Sequence, residues 1–393
     1  MVAHMAFDLV IPDADQREAL ERLLQQSYAI PSIPWTKFFE RVGHERLRAG
    51  VQDGRVVGGL AAYPLKQFFG GASVPLAGIA GVGVSPEARG RGLAKAMLLR
   101  TLEQLRETTP LAGLYATTTT LYRSCGFEQA STVMYFSAPL ASFPRGDRAL
   151  ACVALPPKTH EPLHAAYERR AREWTGHLDR TPAIWDRLVD PYGDTAYTYV
   201  CGENPDAPDG YIVFLQKPAP ESMHFHVIVR DVAMSTRAAA QRMLGFLHDL
   251  RSLAEVIVWR GCAADPLLTL LPEQMHAVKK HERWMLRILD VPRALAARGY
   301  PPVRAEVHLA LHDANFPVNA GRHVFSVEGG HGETRDGGRG DVTIDVRGLA
   351  ALYSGFATPY TLRAAGLIDG PDAALTTLAT IFAGPEPWCA DHY

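Results

Sequence analysis

Apolar residues recur at helical spacing at Ala19, Leu20, Leu23, Leu24 and Ala29, which predicts a helix over residues 15–28. Two runs, Arg46 to Gln52 and Arg55 to Tyr63, flank Asp53-Gly54. Asp-Gly between apolar runs predicts a hairpin, because its turn needs positive φ. A strand is expected at Leu76 to Val84, and a helix from about Gly92 to Arg106 with Leu93, Met97, Leu98, Leu102 and Leu105 on one stripe. Further strands are expected at Gly113 to Thr117 and Met134 to Ser137. Residues 138–157 carry Pro139, Pro144, Pro156 and Pro157 and read as a linker.

The pattern then repeats. Strands are expected at Tyr211 to Leu215 and His224 to Val229, then a helix at Ser235 to Leu253 and a strand at Glu255 to Trp259. The order, hairpin–helix–strand, is that of the first 140 residues, so the chain carries an internal duplication. Val232-Ala233-Met234-Ser235-Thr236-Arg237 precedes the second helix and contains no glycine, unlike its counterpart. Beyond residue 288, alternation at Ala305 to His312, His323 to Val327 and Asp341 to Val346 predicts antiparallel strands. Helices follow at Arg347 to Tyr353 and Pro371 to Phe382, and Gly329 to Gly340 reads as a long, mobile hairpin loop. The expected organisation is three domains, 1–140, 150–288 and 289–393, in a mixed α/β (α+β) fold.

Composition narrows the class. A chain of 393 residues with 47 % hydrophobic positions supports several packed cores. A net charge of −2 argues against a nucleic-acid partner. Cys125, Cys152, Cys201, Cys262 and Cys389 are scattered and odd in number, with no CxxC, which fits reduced cytosolic thiols better than disulfides or zinc. Met1-Val2-Ala3-His4-Met5 lacks the charge-then-apolar pattern of a signal peptide, and Leu267 to Leu271 is far too short to span a membrane. A cytoplasmic protein without a membrane partner is expected. His224 and His226 share a strand face without a cysteine or carboxylate beside them in the sequence, so no metal is expected. His276 and His281 read as helix-surface residues, and no nucleophile elbow is present.

The chemistry concentrates in Val82-Gly83-Val84-Ser85-Pro86-Glu87-Ala88-Arg89-Gly90-Arg91-Gly92-Leu93-Ala94. A strand ends at Pro86, and a short Arg/Gly loop opens an amphipathic helix. The first amides of that helix lack internal partners and carry partial positive charge. Gly90 and Gly92 let an anion approach the backbone, and Arg89 and Arg91 add fork-shaped donors. The plain alternative is a tight turn with two solvated arginines. Downstream, Tyr115-Ala116-Thr117-Thr118-Thr119-Thr120-Leu121-Tyr122-Arg123-Ser124-Cys125-Gly126-Phe127 ends in Tyr-x-x-x-Gly-Phe. Thr117 and Thr118 either bond a ligand or cap the turn that follows.

Arg89-x-x-Gly92-x-Ala94 after Val-x-Val-x-Pro resembles the acetyl-CoA signature of the GCN5-related N-acetyltransferase superfamily. The whole chain, with a silent second copy and Met285 to Leu295 leading into a strand-rich third region, resembles the Eis (enhanced intracellular survival) family. The resemblance implies tandem acetyltransferase folds, the first active and the second degenerate, before a sterol-carrier-like α+β domain. It also implies acetyl-CoA as co-substrate and acetyl transfer to a primary amine by direct attack in a ternary complex. The amine would belong to an aminoglycoside, a polyamine-like molecule or a lysine side chain. In that family Arg89, Gly90, Arg91, Gly92 and Ala94 would grip the diphosphate, and Val82 and Val84 would pair with the pantetheine arm, aided by Thr117 and Thr118. The Val84 amide would serve as oxyanion donor. Tyr122 would protonate the departing thiolate, since a phenol of pKa about 10 can donate to a thiol group of pKa about 8.5 within hydrogen-bond reach. The α-carboxylate of Tyr393 would assist deprotonation of the amine. Acceptor candidates are Ser27, Tyr28, Trp35, Phe38 and Phe39, whose aromatic faces attract ammonium groups or simply pack as core. Glu40 is the only carboxylate in residues 24–40, which argues against a broad aminoglycoside range. A homo-hexamer is implied by the same resemblance. The competing class is a non-catalytic CoA-sensing or lipid-carrying protein.

Overall fold

The computed structural model describes residues 7–28, 34–220 and 223–393. Ala29, on the predicted first helix, and the N-terminal pentapeptide lie outside them. In chain order the first repeat holds β1 (Asp8–Val10), α1 (Ala14–Tyr28), α2 (Trp35–Val42), β2 (Leu47–Gln52), β3 (Arg55–Phe69), β4 (Ala72–Val84), α3 (Leu93–Arg106), β5 (Leu111–Tyr115), α4 (Thr119–Ser124) and β6 (Glu128–Pro139). Next come β7 (Cys152–Ala154), α5 (His164–Glu173), β8 (Leu178–Asp179), α6 (Pro182–Val189), β9 (Ala196–Cys201), β10 (Gly210–Pro218), β11 (Phe225–Met234), α7 (Arg237–Asp249), β12 (Ala254–Gly261), α8 (Pro266–Leu270) and β13 (Ala277–Ile288). The last segment holds α9 (Val291–Ala297), β14 (Ala305–His312), β15 (Gly321–Glu328), β16 (His331–Asp336), β17 (Val342–Asp345), α10 (Val346–Tyr353), α11 (Pro359–Ala364), β18 (Ile368–Asp369) and α12 (Asp372–Ile381).

The chain forms two compact units, one of residues 1–131, 283–385 and 393, the other of residues 132–282 and 386–392. In the first unit, β1, β2, β3 and β4 run antiparallel in order. The Asp53-Gly54 turn has φ of 50° and 73°, the geometry of a two-residue hairpin. β4 pairs parallel with β5, and β5 pairs antiparallel with the second half of β13, from Trp284↔Tyr115 to Ile288↔Leu111. The apolar stripe of α3 packs on this sheet, with Leu98, Leu102, Leu60, Ile79, Leu114, Phe127 and Met285 in one buried cluster. A separate five-stranded sheet runs β16-β15-β14-β17-β18. In the second unit, β7, β9, β10, β11, β12 and the later part of β6 form an equivalent sheet, again with one parallel pair, β11 and β12. Strands are thus exchanged. The last strand of the first repeat pairs with β12, and the last strand of the second pairs with β5.

Four expectations change, the first being that β17 pairs parallel with β14, from Leu309↔Val342 to His312↔Asp345, where antiparallel strands are expected. Gly329 to Gly340 is not a long loop. Gly329-Gly330, at φ of 59° and 84°, makes a tight turn, and β16 then pairs with β15 from Glu328↔His331 to His323↔Asp336. Its polar residues show no alternation because it is an edge strand with little to bury. His281 lies on strand β13 rather than a helix, and His276 sets its ring edge against Phe136 at 5.7 Å. The presumed linker contains β7, which pairs with β9.

A buried ion pair ties the first unit together. Arg287 on β13 reaches both Asp313 oxygens at 2.8 and 2.7 Å, and neither side chain is exposed. Asp313 also accepts from the amides of Asn315 and Phe316 and from the Asn319 side chain. Arg287→Met would strand that carboxylate in the interior, so we expect a loss of about 3–5 kcal/mol in urea unfolding. Adding Asp313→Asn removes the stranded charge but keeps an acceptor for the amides, and the double variant should recover part of the loss.

Candidate active site

The site begins where a ladder stops. β4 and β5 pair only at Leu76↔Leu111, Ala77↔Ala112 and Gly78↔Gly113. Beyond Gly78, β4 continues to Val84 with β3 on one side only. The β3–β4 register slips between Gly59 and Ala61, giving β4 an extra residue, and Gly81 takes φ of 60° there. A bulge of this kind bends and re-aims a strand. The Ser85 amide donates across to Val57 O at 3.0 Å. By strand alternation, Val84 and Val82 therefore point their backbone groups to the open side. Two contacts agree: Arg89 Nε donates to Val84 O at 3.0 Å, and the Tyr28 hydroxyl donates to Val82 O at 2.9 Å.

The open edge leads into an uncapped helix. Gly90 and Gly92 have φ of 74° and 82°, and a Cβ at either would touch nothing within 4 Å, so conformation alone calls for glycine. Gly92 is the N-cap of α3 and offers no side chain. Ala96 is the first amide to find an acceptor, Gly92 O, leaving those of Leu93, Ala94 and Lys95 without one. Arg89, Arg91 and both glycines are exposed. Edge, turn and helix end together offer a run of donors to an anion.

Tyr122 sits in the last turn of α4. Its carbonyl accepts from the amides of Cys125 and Phe127, and its ring meets Phe127 edge-on at 6.0 Å. Gly126 permits this reversal with φ of 85°, and its missing Cβ leaves room for the Arg287 guanidinium. The Tyr122 ring is buried, while its hydroxyl makes no hydrogen bond to any described residue. Burial chiefly, then the nearby Tyr28 and Cys125, raises its pKa above the usual phenol value. Thr117 and Thr118 are exposed, and Thr118, although the N-cap of α4, makes no side-chain capping bond.

The chain's last side chain lies at the point of separation. The Tyr393 ring covers Gly78 and Gly113, where any Cβ would come within 2.7–2.8 Å of it. Trp284 Nε1 donates to its hydroxyl. Tyr63 and Tyr115 flank it edge-on at 6.2 and 5.9 Å. The rings continue from Tyr63 to Phe38, from Phe38 to Trp35, and from Trp35 to Tyr28, with centroid spacings of 5.9, 5.3 and 5.5 Å. Trp35 and Phe38 lie over the bulge glycine Gly81, and Ser27 lies over Gly83. Trp35 Nε1 and Ser27 Oγ are buried without a hydrogen-bond partner among the described residues. Phe39 is fully packed beneath this layer. Sequence reasoning missed Trp284, Tyr63 and Tyr115. The available signal was Gly78 and Gly113 inside strands, a mark of close approach.

The second repeat has the same frame with the opposite outcome. The β11–β12 ladder stops at Ile228↔Val258, and Arg170 on α5 donates to Val232 O, much as Tyr28 on α1 donates to Val82 O. Thr236, however, caps α7 by accepting from the Ala239 amide at 3.1 Å. The cleft is taken by chain: Arg260 bonds Ala390 O at 2.9 Å, and Arg180 joins Asp391 to the fully buried Asp231. Tyr211 and Arg170 also bond Asp231, at 2.7 Å each. His224 is engaged by Glu255 at 2.8 Å, and no group of three or more metal-binding side chains occurs among the described residues. No helix among them is long and apolar enough to cross a membrane.

Comparison with known proteins agrees with this architecture. Acetyltransferase (GNAT) domain families match residues 12–130 and 176–288, and a sterol carrier protein domain family matches residues 291–390. An uncharacterized N-acetyltransferase of Streptomyces avermitilis is 30 % identical over 362 residues, covering 86 % of this chain and 87 % of its own. N-acetyltransferase Eis of Mycobacterium tuberculosis is 27 % identical over 373 residues, 90 % of each chain. The crystal structure of a GCN5-related N-acetyltransferase from Anabaena variabilis superposes with a TM-score of 0.94 at 34 % identity, covering 99 % and 100 % of the two chains. Eis1 from Mycobacterium abscessus superposes at 0.81 with 25 % identity, over 99 % and 100 %.

The glycines separate strain from space. Gly92→Ala meets only the left-handed backbone penalty, about 1 kcal/mol. Gly113→Ala drives a methyl into Trp284 and Tyr393 and should cost about 2–3 kcal/mol. Urea unfolding of both variants checks the order; equal losses would show that the Tyr393 ring yields freely.

Proposed function

Because the chain belongs to the GCN5-related N-acetyltransferases of the Eis type, with tandem acetyltransferase folds before a sterol-carrier-like domain, we propose that it acetylates a primary amine by direct attack within a ternary complex. The observation that carries the reading is the open edge of β4 running into the uncapped start of α3. That strip fits acetyl-CoA, which supplies the activated thioester. Arg89, Gly90, Arg91, Gly92 and Ala94 hold the diphosphate through backbone amides and guanidinium forks. Val82 and Val84 take the pantetheine arm as an added strand, and the exposed Thr117 and Thr118 offer hydroxyls to it. Tyr28 already occupies the Val82 carbonyl, so the arm must displace that hydroxyl or bond on either side of it.

The Val84 amide, turned to the open side, donates to the developing oxyanion. Tyr122 keeps its proton because it is buried and delivers it to the leaving sulfur. The Tyr393 α-carboxylate attracts the acceptor ammonium and takes its proton through water. Tyr28, Trp35 and Phe38 supply aromatic faces to the acceptor, while Phe39, packed beneath them, supports the layer. A single exposed carboxylate, Glu40, in residues 24–40 favours a monoamine such as a lysine side chain over a polycationic aminoglycoside. A cytoplasmic homo-oligomer is the setting the family suggests.

Tyr122→Phe should lower kcat about 10²–10³-fold in a thiol-release assay, with the KM for acetyl-CoA little changed. Full activity would remove Tyr122 from the chemistry. Since its pKa is raised, the phenol stays protonated through neutral and mildly alkaline pH. The profile of kcat/KM should therefore climb as the amine loses its proton and show no descending limb below about pH 10. A Gly-Gly extension after Tyr393 should cut kcat at least about tenfold without weakening CoA binding.

A further inference from the structure

A cluster of three arginines lines a cavity in the second unit. Arg230 on β11 and Arg260 on β12 each stand two residues past Ile228↔Val258, the last pair of the parallel ladder. They face each other across the point where the strands part. Together with Arg187 near the end of α6 they line a small cavity, open to solvent, whose wall also includes Tyr135, Asp391 and His392. Neither Arg230 nor Arg260 forms an ion pair with any described residue. Arg230 donates to Arg187 O at 3.1 Å, and its Nε is buried without an acceptor among the described residues. Arg260 donates to Ala390 O and lies over the Tyr135 ring.

The neighbouring carboxylates are already committed. Asp391 is bonded by Arg180, Glu282 by His392 at 3.0 Å and by Tyr135 at 2.7 Å, and Asp194 by Lys217. Burial, with repulsion from Arg260 and Arg187, pulls the Arg230 pKa down to about 10. Concentrated and half-buried cationic charge of this kind is costly unless an anion joins it.

We propose that Arg187, Arg230 and Arg260 form a binding site for a phosphate-type oxyanion, free or carried on a small molecule, beside the C-terminal tail at His392. Paired guanidinium forks suit tetrahedral oxyanions better than a single carboxylate, and Tyr135 offers an aromatic wall to whatever bears the phosphate. His392, held by Glu282 at 3.0 Å, lines the cavity beside the arginines.

Isothermal titration calorimetry on full-length protein saturated with CoA tests this at constant ionic strength, using inorganic phosphate and, separately, glycerol 3-phosphate. One saturable site is expected, with affinity reduced about tenfold or more by Arg230→Met and by Arg260→Met but not by Arg91→Ala. Tighter binding of the ester would identify an organic phosphate as occupant, and equal binding a free ion. Arg230→Met should fold normally, because it removes an uncompensated charge; if it does not, Arg230→Lys keeps the charge without the fork and answers the same question. No saturable heat, or binding lost only in Arg91→Ala, overturns the proposal.

Discussion

The early end of the β4–β5 ladder is the constraint on which the first unit's site depends. Two parallel strands that stay paired offer no free backbone. Here the pairing ceases at Gly78↔Gly113, while β4 runs on for six more residues with one neighbour. The bulge at Gly81 turns Val82 and Val84 to the open side. A peptide edge with unmet donors and acceptors is normally a liability. In this fold it continues, without a break in the chain, into the uncapped amides of α3.

The same frame occurs twice and is used in two ways. Each repeat separates its parallel pair, and in each a helix side chain bonds the carbonyl of a valine, Val82 or Val232. What differs is local. The first helix starts at a left-handed glycine with nothing to cap it, and the second starts at a threonine that does. The second cleft is then filled by Asp231, Arg180 and the segment around Asp391, a network with almost no exposure. The two clefts thus differ at the helix start, uncapped in the first and capped in the second, and the second holds the protein's own chain.

Much of the site was legible in the sequence. The Val82–Ala94 segment names its own conformation: Pro86 stops the strand, Gly90 and Gly92 take positive φ, and the Leu93–Leu102 stripe makes a helix. Tyr-x-x-x-Gly-Phe likewise encodes its own turn through Gly126. The duplication and most strands followed from alternation and period. These features rest on interactions within a dozen residues, where composition and spacing are enough.

What depended on distant residues was not legible. Strand exchange between β6 and β13 follows from pairing energies between segments far apart in sequence, such as Pro139 with Val256 and Tyr115 with Trp284, which leave no local trace. The seat of Tyr393 on Gly78 and Gly113, under the Trp284 indole, joins four parts of the chain. β16 was hidden because an edge strand with two polar faces has no period to read. The sequence by itself determined most of the elements, the glycine turn before α3 and the local turn that carries Tyr122. Only the tertiary structure decided which strands part, which cleft stays open and where the tail comes to rest, because each of those is settled by burial and close approach between residues that never meet in sequence.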